Sequence, residues 1–312
     1  MPTPAAPPTP RAAAPPRPEE LTAVPVRHYG RWLGAVLVSL AAGSLLWSLL
    51  TNPNLDIRLV LSYLTRDFVL RGLGITIVLT VVAMVIGVLG GVLLAVMRMS
   101  PNPVLRTVAW FYLWFFRGTP LLVQIIFWGF LGALYPRLFV EIPFTGIVLF
   151  DEPTSQIVTP FVAAVLGLAL NEVAYAAEII RGGMLSVDRG QTEAAQALGM
   201  RRIKILRRIV LPQAMRVIVP PMGNDTINML KMTALVSVIG GSDLLTAVQN
   251  VYAQNFQVIP LLAVAVFWYL ALTSLLSVGQ HYLEKRFGRG FGETAAPRGG
   301  ALSRLISTKE RL

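Results

Sequence analysis

No cysteine occurs in the 312 residues, which excludes a disulfide framework, a cysteine-ligated zinc and a thiol nucleophile. Histidine is nearly missing as well: His28 and His281 stand far apart and make no metal motif. No Gly-x-x-x-x-Gly-Lys-Ser/Thr phosphate loop is present, so ATP hydrolysis by that chemistry is excluded, and no Ser/His/Asp set stands out. Charge is the scarcest feature. Only 14% of residues are charged, where a soluble domain carries about a quarter. Against these absences stand 54% apolar residues and a mean hydropathy of +0.63. A chain so poor in charge cannot cover the surface of a water-soluble globule, and it reads as an all-α integral membrane protein.

Charge-free intervals locate the spans, since a helix needs about 20 apolar residues to cross the hydrocarbon core. They run from Arg31 to Asp56, Arg71 to Arg98, Arg117 to Arg137 and Glu152 to Glu172. A fifth apolar stretch, Val217 to Gly241, is interrupted by Asp225 and Lys231, and a sixth covers Val258 to Tyr282. Six transmembrane helices are expected.

The 27 Lys and Arg against 16 Asp and Glu give a net charge of +11. A basic balance can indicate nucleic acid, whose footprint would be a basic stripe on a folded domain. Here the basic residues punctuate apolar helices, so no nucleic-acid partner is expected. Eight fall between spans four and five and seven after span six, whereas Arg58, Arg66, Arg71 and Arg137 alone fall on the opposite side. The positive-inside rule therefore places both termini in the cytoplasm, with the bilayer as the immediate surroundings. Residues 1–30 are Pro/Ala-rich and lack an apolar run. They read as a disordered cytoplasmic tail rather than a signal peptide, and 288–312 as a second cytoplasmic tail.

The longest cytoplasmic connection is 181–216. A helix is expected from near Thr192, with Glu193 in its first turn, broken or turned at Gly199. A basic amphipathic helix follows, with Ile203, Leu206, Ile209 and Val210 on one face and Arg201, Arg202, Lys204, Arg207 and Arg208 around the rest, ended or kinked by Pro212. Periodicity leaves two readings open: a surface helix held against anionic headgroups, or a helix–turn–helix that engages a partner's groove.

Glu193-Ala194-Ala195, Gly199, Ile209 and Leu211-Pro212, at their spacing, resemble the EAA signature of ABC-importer permeases. Glu172 to Gly183, Val187 to Gln191, Phe116-Arg117-Gly118-Thr119-Pro120, Pro220 to Asn224 and Lys231 to Leu235 are similar to segments of the polar amino-acid (histidine/glutamine/arginine-type) branch. The resemblance spans about 72–287. It implies a type I ABC importer permease fold over 72–287, preceded by an extra N-terminal span and outer connection over 31–71. It also implies a cytoplasmic ABC ATPase dimer docked on the 181–216 loop through Glu193, Ala194, Ala195, Gly199, Ile209, Leu211 and Pro212. A second permease chain, an external substrate-binding protein and an amino-acid substrate complete the implied assembly, in a bacterial inner membrane. No cofactor or metal is implied. Departures are the extra span, a long outer connection from Tyr135 to Gln156, and Met232 where the family usually has a polar residue.

Ionisable residues inside a span are costly and so mark function. Pro220-Pro221 before Met222-Gly223-Asn224-Asp225 predicts a helix broken or restarted there, with Asn224 or Asp225 as its cap. Asp225, Asn224 and Asn228 are the expected lining of the substrate pathway, and the bland alternative is a cap plus an Asp225–Lys231 pair. Thr76 and Thr80 share a face of span two and are further pathway candidates, although such threonines commonly bond back to their own helix. Glu178 and Arg181 read as a structural pair, and Arg117 as an interface charge. The expected function is import of a polar or charged amino acid, with an ion-coupled secondary amino-acid transporter as the alternative.

Overall fold

The computed structural model describes residues 29–141 and 148–287. Contacts divide the chain at Asn52/Pro53. The first unit contributes one described element, α1 (Tyr29–Leu50), a helix apolar all round and long enough to cross a membrane. It takes in Tyr29 and Gly30, so the expected tail is described only from 29 onward and residues 1–28 lie outside the description, as does the tail from 288.

The second unit opens with α2 (Ile57–Tyr63) and α3 (Asp67–Met99). Asp67 sits in the first turn of α3 and Arg98 in its last, each matched to the helix dipole, and the Ser100-Pro101 step ends the helix. Asn102 accepts from Val104 N at 2.9 Å to start α4 (Pro103–Gly118), followed by α5 (Leu121–Gly129) and the single turn α6 (Leu131–Leu134). Strands β1 (Arg137–Glu141) and β2 (Val148–Pro153) pair antiparallel, with Phe139 opposite Asp151. After α7 (Thr154–Ile157), Thr159 caps α8 (Pro160–Leu185) by accepting from Val162 N. Then come α9 (Arg189–Ala197), α10 (Arg202–Ile205), a π-helical turn (Leu206–Val210) and α11 (Leu211–Met232). A 3₁₀ segment (Thr233–Ile239), α12 (Leu244–Asn255) and α13 (Val258–Phe287) complete the unit.

Helices α3 and α8 form the spine. Gly87, Gly90 and Gly91 let their backbones meet: a Cβ added at Gly87 would lie 2.3 Å from Glu172 Cγ, and one at Gly91 would lie 3.0 Å from the Ala177 backbone nitrogen. Close approach of small residues replaces the hydrophobic effect as the packing force between helices in lipid. Leu79, Ala83, Ile125, Leu168, Met229 and Val236 fill the centre of the bundle. Leu94, Ala95, Ala109, Leu113 and Ala174 pack α3, α4 and α8 together. Outward, α3 shows Val81, Val85, Leu89 and Leu93, and α13 shows Leu270, Leu275 and Val278. That apolar exterior suits hydrocarbon.

Four described helices are long and apolar enough to span, or six if each of two bent pairs counts as one span. The fold is the expected helical membrane architecture, with four corrections of detail. Span three is not a helix beginning at Arg117. Arg117 lies in the last turn of α4, and the chain turns by 97° into α5. Pro120 causes the break: it drives Thr119 into the extended region (φ −113°, ψ 141°), which a helix cannot continue through. α5 alone, at nine residues, is only about 14 Å long. Second, Pro220 and Pro221 do not break α11, which runs through them from Leu211 to Met232, so neither Asn224 nor Asp225 is a cap. Third, Pro212 does not end the helix. The Leu211 N–H reaches Leu206 O, and this wider π turn makes room for the ring that would clash in a tighter one. Fourth, the fold is mostly rather than wholly helical, because the long outer connection carries the paired strands β1 and β2.

Candidate functional site

The 181–216 loop folds as a helix–turn–helix at the C-terminal end of α8. Asp188 accepts from Gly190 N at 2.6 Å and caps α9, which therefore starts at Arg189, three residues before the expected Thr192. At the other end Met200 N donates to Ala195 O and Gly199 N to Gln196 O, a turn that places Gly199 at φ +73°. Only glycine takes that conformation without strain. Ala195 is buried beneath the turn, Glu193 and Ala194 face outward, and Leu198 is 83% exposed at the tip. The second helix differs from its expected face. Ile205 is the buried residue, while Ile203 and Leu206 are exposed, because the π turn shifts the register of everything before Leu211. Arg201, Arg202, Lys204, Arg207 and Arg208 stay exposed around it. Ile209 and Leu211-Pro212 lie where the loop returns to the bundle, with Gln213 Nε2 donating to Ile209 O at 3.0 Å.

The pathway candidates separate into two places. On α3, Thr76 is fully buried and its Oγ1 accepts from Leu244 N at 3.0 Å, while Thr80 donates to Thr76 O at 2.8 Å. Both hydroxyls are thus engaged in backbone bonding, and Thr76 serves the start of α12. On α11, Asn224 is exposed and Asp225 and Asn228 are half-buried. Asp225 Oδ2 has no hydrogen-bond partner, and among the described residues Asp225 forms no ion pair with Lys231. Glu172 on α8, within electrostatic range of Asp225, is 4% exposed with Oε1 unpartnered. The sequence marked Glu172 as deep but did not join it to Asp225. The six-residue offset of Glu172 from Glu178 was the available signal, since it sends the two carboxylates to different faces of α8.

A second polar place was missed. An open cavity of about 520 Å³ lies between α4 and the C-terminal halves of α3 and α8, lined by Arg98, Trp110, Trp114, Arg117, Tyr175 and Glu178. Arg181 holds Glu178 with both ends of its fork, at 3.1 and 2.9 Å. Arg117 reaches the same carboxylate at 3.9 Å and lies over the Tyr175 ring at 5.6 Å. The expected Glu178–Arg181 pair is present, but it belongs to this cluster rather than standing alone. The Arg117 side chain is 46% exposed and stands near Arg98 and Arg181 at the C-terminal ends of α3 and α8, a place that suits the expected interface charge. Cationic and anionic groups beside aromatic faces, in an open space with room for an amino acid, can hold a zwitterion by both ends. On the opposite side of the membrane-length α8, Arg137 and Asp151 join the hairpin strands at 2.8 Å, and this contact raises the guanidinium's hold on its proton.

Membrane-length helices with polar groups at their centre, ending in an exposed helix–turn–helix, are the architecture of a multi-pass membrane protein with a surface built for a partner. The family described as binding-protein-dependent transport system inner membrane component matches residues 87–289. Similar proteins include the arginine transport system permease protein ArgU of Corynebacterium glutamicum, 44% identical over 283 residues and covering 90% of this chain and 88% of that one. The L-cystine transport system permease protein TcyB of Bacillus subtilis is 38% identical over 221 residues, covering 70% and 86%. A crystal structure of an amino acid ABC transporter with histidines superposes with a TM-score of 0.58 at 36% identity, over 70% of this chain and 94% of that one. The chain belongs to the binding-protein-dependent ABC permease family and is a permease subunit of an amino-acid importer, a multi-pass membrane protein whose ATPase is a separate subunit.

Proposed function

We propose that the substrate is a polar or charged amino acid delivered by an external binding protein, and that it passes two polar stations on α8. At one, Arg117 takes its carboxylate beside Tyr175 and Glu178. At the other, Asp225, with Asn224, Asn228 and Glu172, offers carboxylate oxygens to its cationic groups. Thr76 supports this pathway from behind by tying the start of α12 to α3, and Thr80 by bonding back to Thr76 O within α3. An ATPase dimer docks on 181–216, with Gly199 setting the turn, Glu193, Ala194 and Ala195 on the first helix and Ile209, Leu211 and Pro212 on the return. A second permease chain supplies the other half of the route, and both termini lie on the ATPase side. Residues 31–71 are an addition ahead of the permease core at 72–287.

The observation that carries this reading is the course of α8: one 26-residue helix bears Glu172, Tyr175 and Glu178 and leads through Ser186 into the docking helix α9. On this reading a movement of α9 passes across residues 186–188 into α8, and so to Glu172, Tyr175 and Glu178. In proteoliposomes with the ATPase and binding protein, Arg117→Gln and Asp225→Asn should each lower initial uptake at least about tenfold, the scale of one lost charge-assisted contact. ATPase association should be unchanged. Undiminished uptake in both variants would show that the route lies elsewhere.

A further inference from the structure

The corner between α4 and α5 poses a backbone problem. Where the helix stops at Gly118, the last carbonyls of α4 lose their intrahelical donors, and inside a membrane no bulk water replaces them. Two side-chain amides, each 6% exposed, solve it. Gln124 Nε2 donates to Phe116 O at 3.0 Å, to Thr119 O at 3.1 Å and to Thr119 Oγ1 at 2.8 Å. Asn171 Nδ2, from α8, donates to the same Phe116 O at 3.1 Å and to Gln124 Oε1 at 3.3 Å. Thr119 Oγ1 in turn donates to Phe115 O at 2.8 Å.

This network does more than satisfy carbonyls. Phe116 O, shared by both amides, belongs to the residue next to Arg117. Asn171 lies one helical turn from Tyr175 and two from Glu178, the groups that Arg117 meets. The corner is therefore tied to the same face of α8 that carries the partners of Arg117. Gly118 has open space around it and offers no packing of its own to hold the bend.

We infer that the Gln124–Asn171 amide pair is a positioning element, which clamps the α4–α5 corner to α8 and thereby aims the Arg117 guanidinium at the translocated amino acid. This rests on the reading of the Arg117 cavity as part of the substrate route. Neither amide touches the substrate; both act through Arg117.

The test uses the detergent-purified permease–ATPase complex, titrated calorimetrically with L-arginine and separately with L-glutamine, without the binding protein. Gln124→Met keeps the length of the side chain and removes its donors, and Asn171→Ser removes the second amide from the other helix. Either should weaken binding of whichever amino acid the unaltered complex takes by roughly five- to tenfold, as expected for losing an aimed charged contact. The double variant Gln124→Met/Arg117→Gln should bind no more weakly than Arg117→Gln alone, because the amide acts only through that arginine. A merely structural role would lower thermal stability and leave the two losses additive. If Arg117→Gln weakens binding while Gln124→Met and Asn171→Ser do not, or if the losses add, the positioning role is overturned and the cavity reading stands. If Arg117→Gln itself leaves binding unchanged, the cavity reading falls and the positioning role with it.

Discussion

Gly199 is the residue on which the docking loop turns. Its φ of +73° lies where an L side chain is strained, and from that conformation Met200 N donates to Ala195 O at 3.1 Å. Gly199→Val should cost about 1–2 kcal/mol at the turn and displace Leu198 from the tip. The account predicts a chain that inserts and folds but stimulates its ATPase poorly. Stimulated hydrolysis equal to that of the unaltered chain would remove the turn from coupling. This residue was legible in the sequence because a glycine just past a helix has a narrow set of uses. Asp225 was legible in kind, as a carboxylate that apolar surroundings do not excuse. Its neighbour Glu172 was not, because the approach of α11 to α8 is a tertiary fact. The contacts of Arg117 with Tyr175 and Glu178 were not legible either, because the partners lie on α8, distant in sequence.

Among the elements, the crossing of α3 and α8 positions everything else. Gly91 sits with its α-carbon against Ala176 and Ala177, and an added Cβ would lie 2.7 Å from Ala176 Cβ. Gly91→Leu should force the helices apart and destabilise the bundle by at least about 1–3 kcal/mol, the usual scale of overpacking. A lowered midpoint of thermal unfolding in detergent would register it, and an unchanged midpoint would mean that the crossing is looser than described. The spans were readable from charge-free intervals, because hydrocarbon excludes charge regardless of packing. Their interruptions were not. Pro220-Pro221 carries a local signal for breaking a helix, but a broken backbone in lipid would expose many polar groups. A continuous α11 leaves far fewer unsatisfied, and Gln280 Nε2 donates to Pro220 O at 3.3 Å beside the site. The corner at Pro120 has the opposite outcome because Gln124 and Asn171 provide the donors that a true break requires.

For the whole molecule, the absence of an ATP-binding loop, the basic helix–turn–helix and the continuous α8 describe a device with its motor elsewhere. On the proposed reading, α8 carries Glu172, Tyr175 and Glu178 and leads across residues 186–188 into α9, so alternating access would be a change in how α8 is held at its two ends, each partner favouring one arrangement. An ion-coupled transporter would need no such loop. The measurement that separates these is initial amino-acid uptake into proteoliposomes holding this chain, its partner permease chain and its binding protein, with and without the ATPase subunits and ATP, at a clamped ion gradient. Uptake should require ATP and the ATPase and be insensitive to collapse of the gradient. Uptake that persists without the ATPase and stops when the gradient is collapsed would contradict the account.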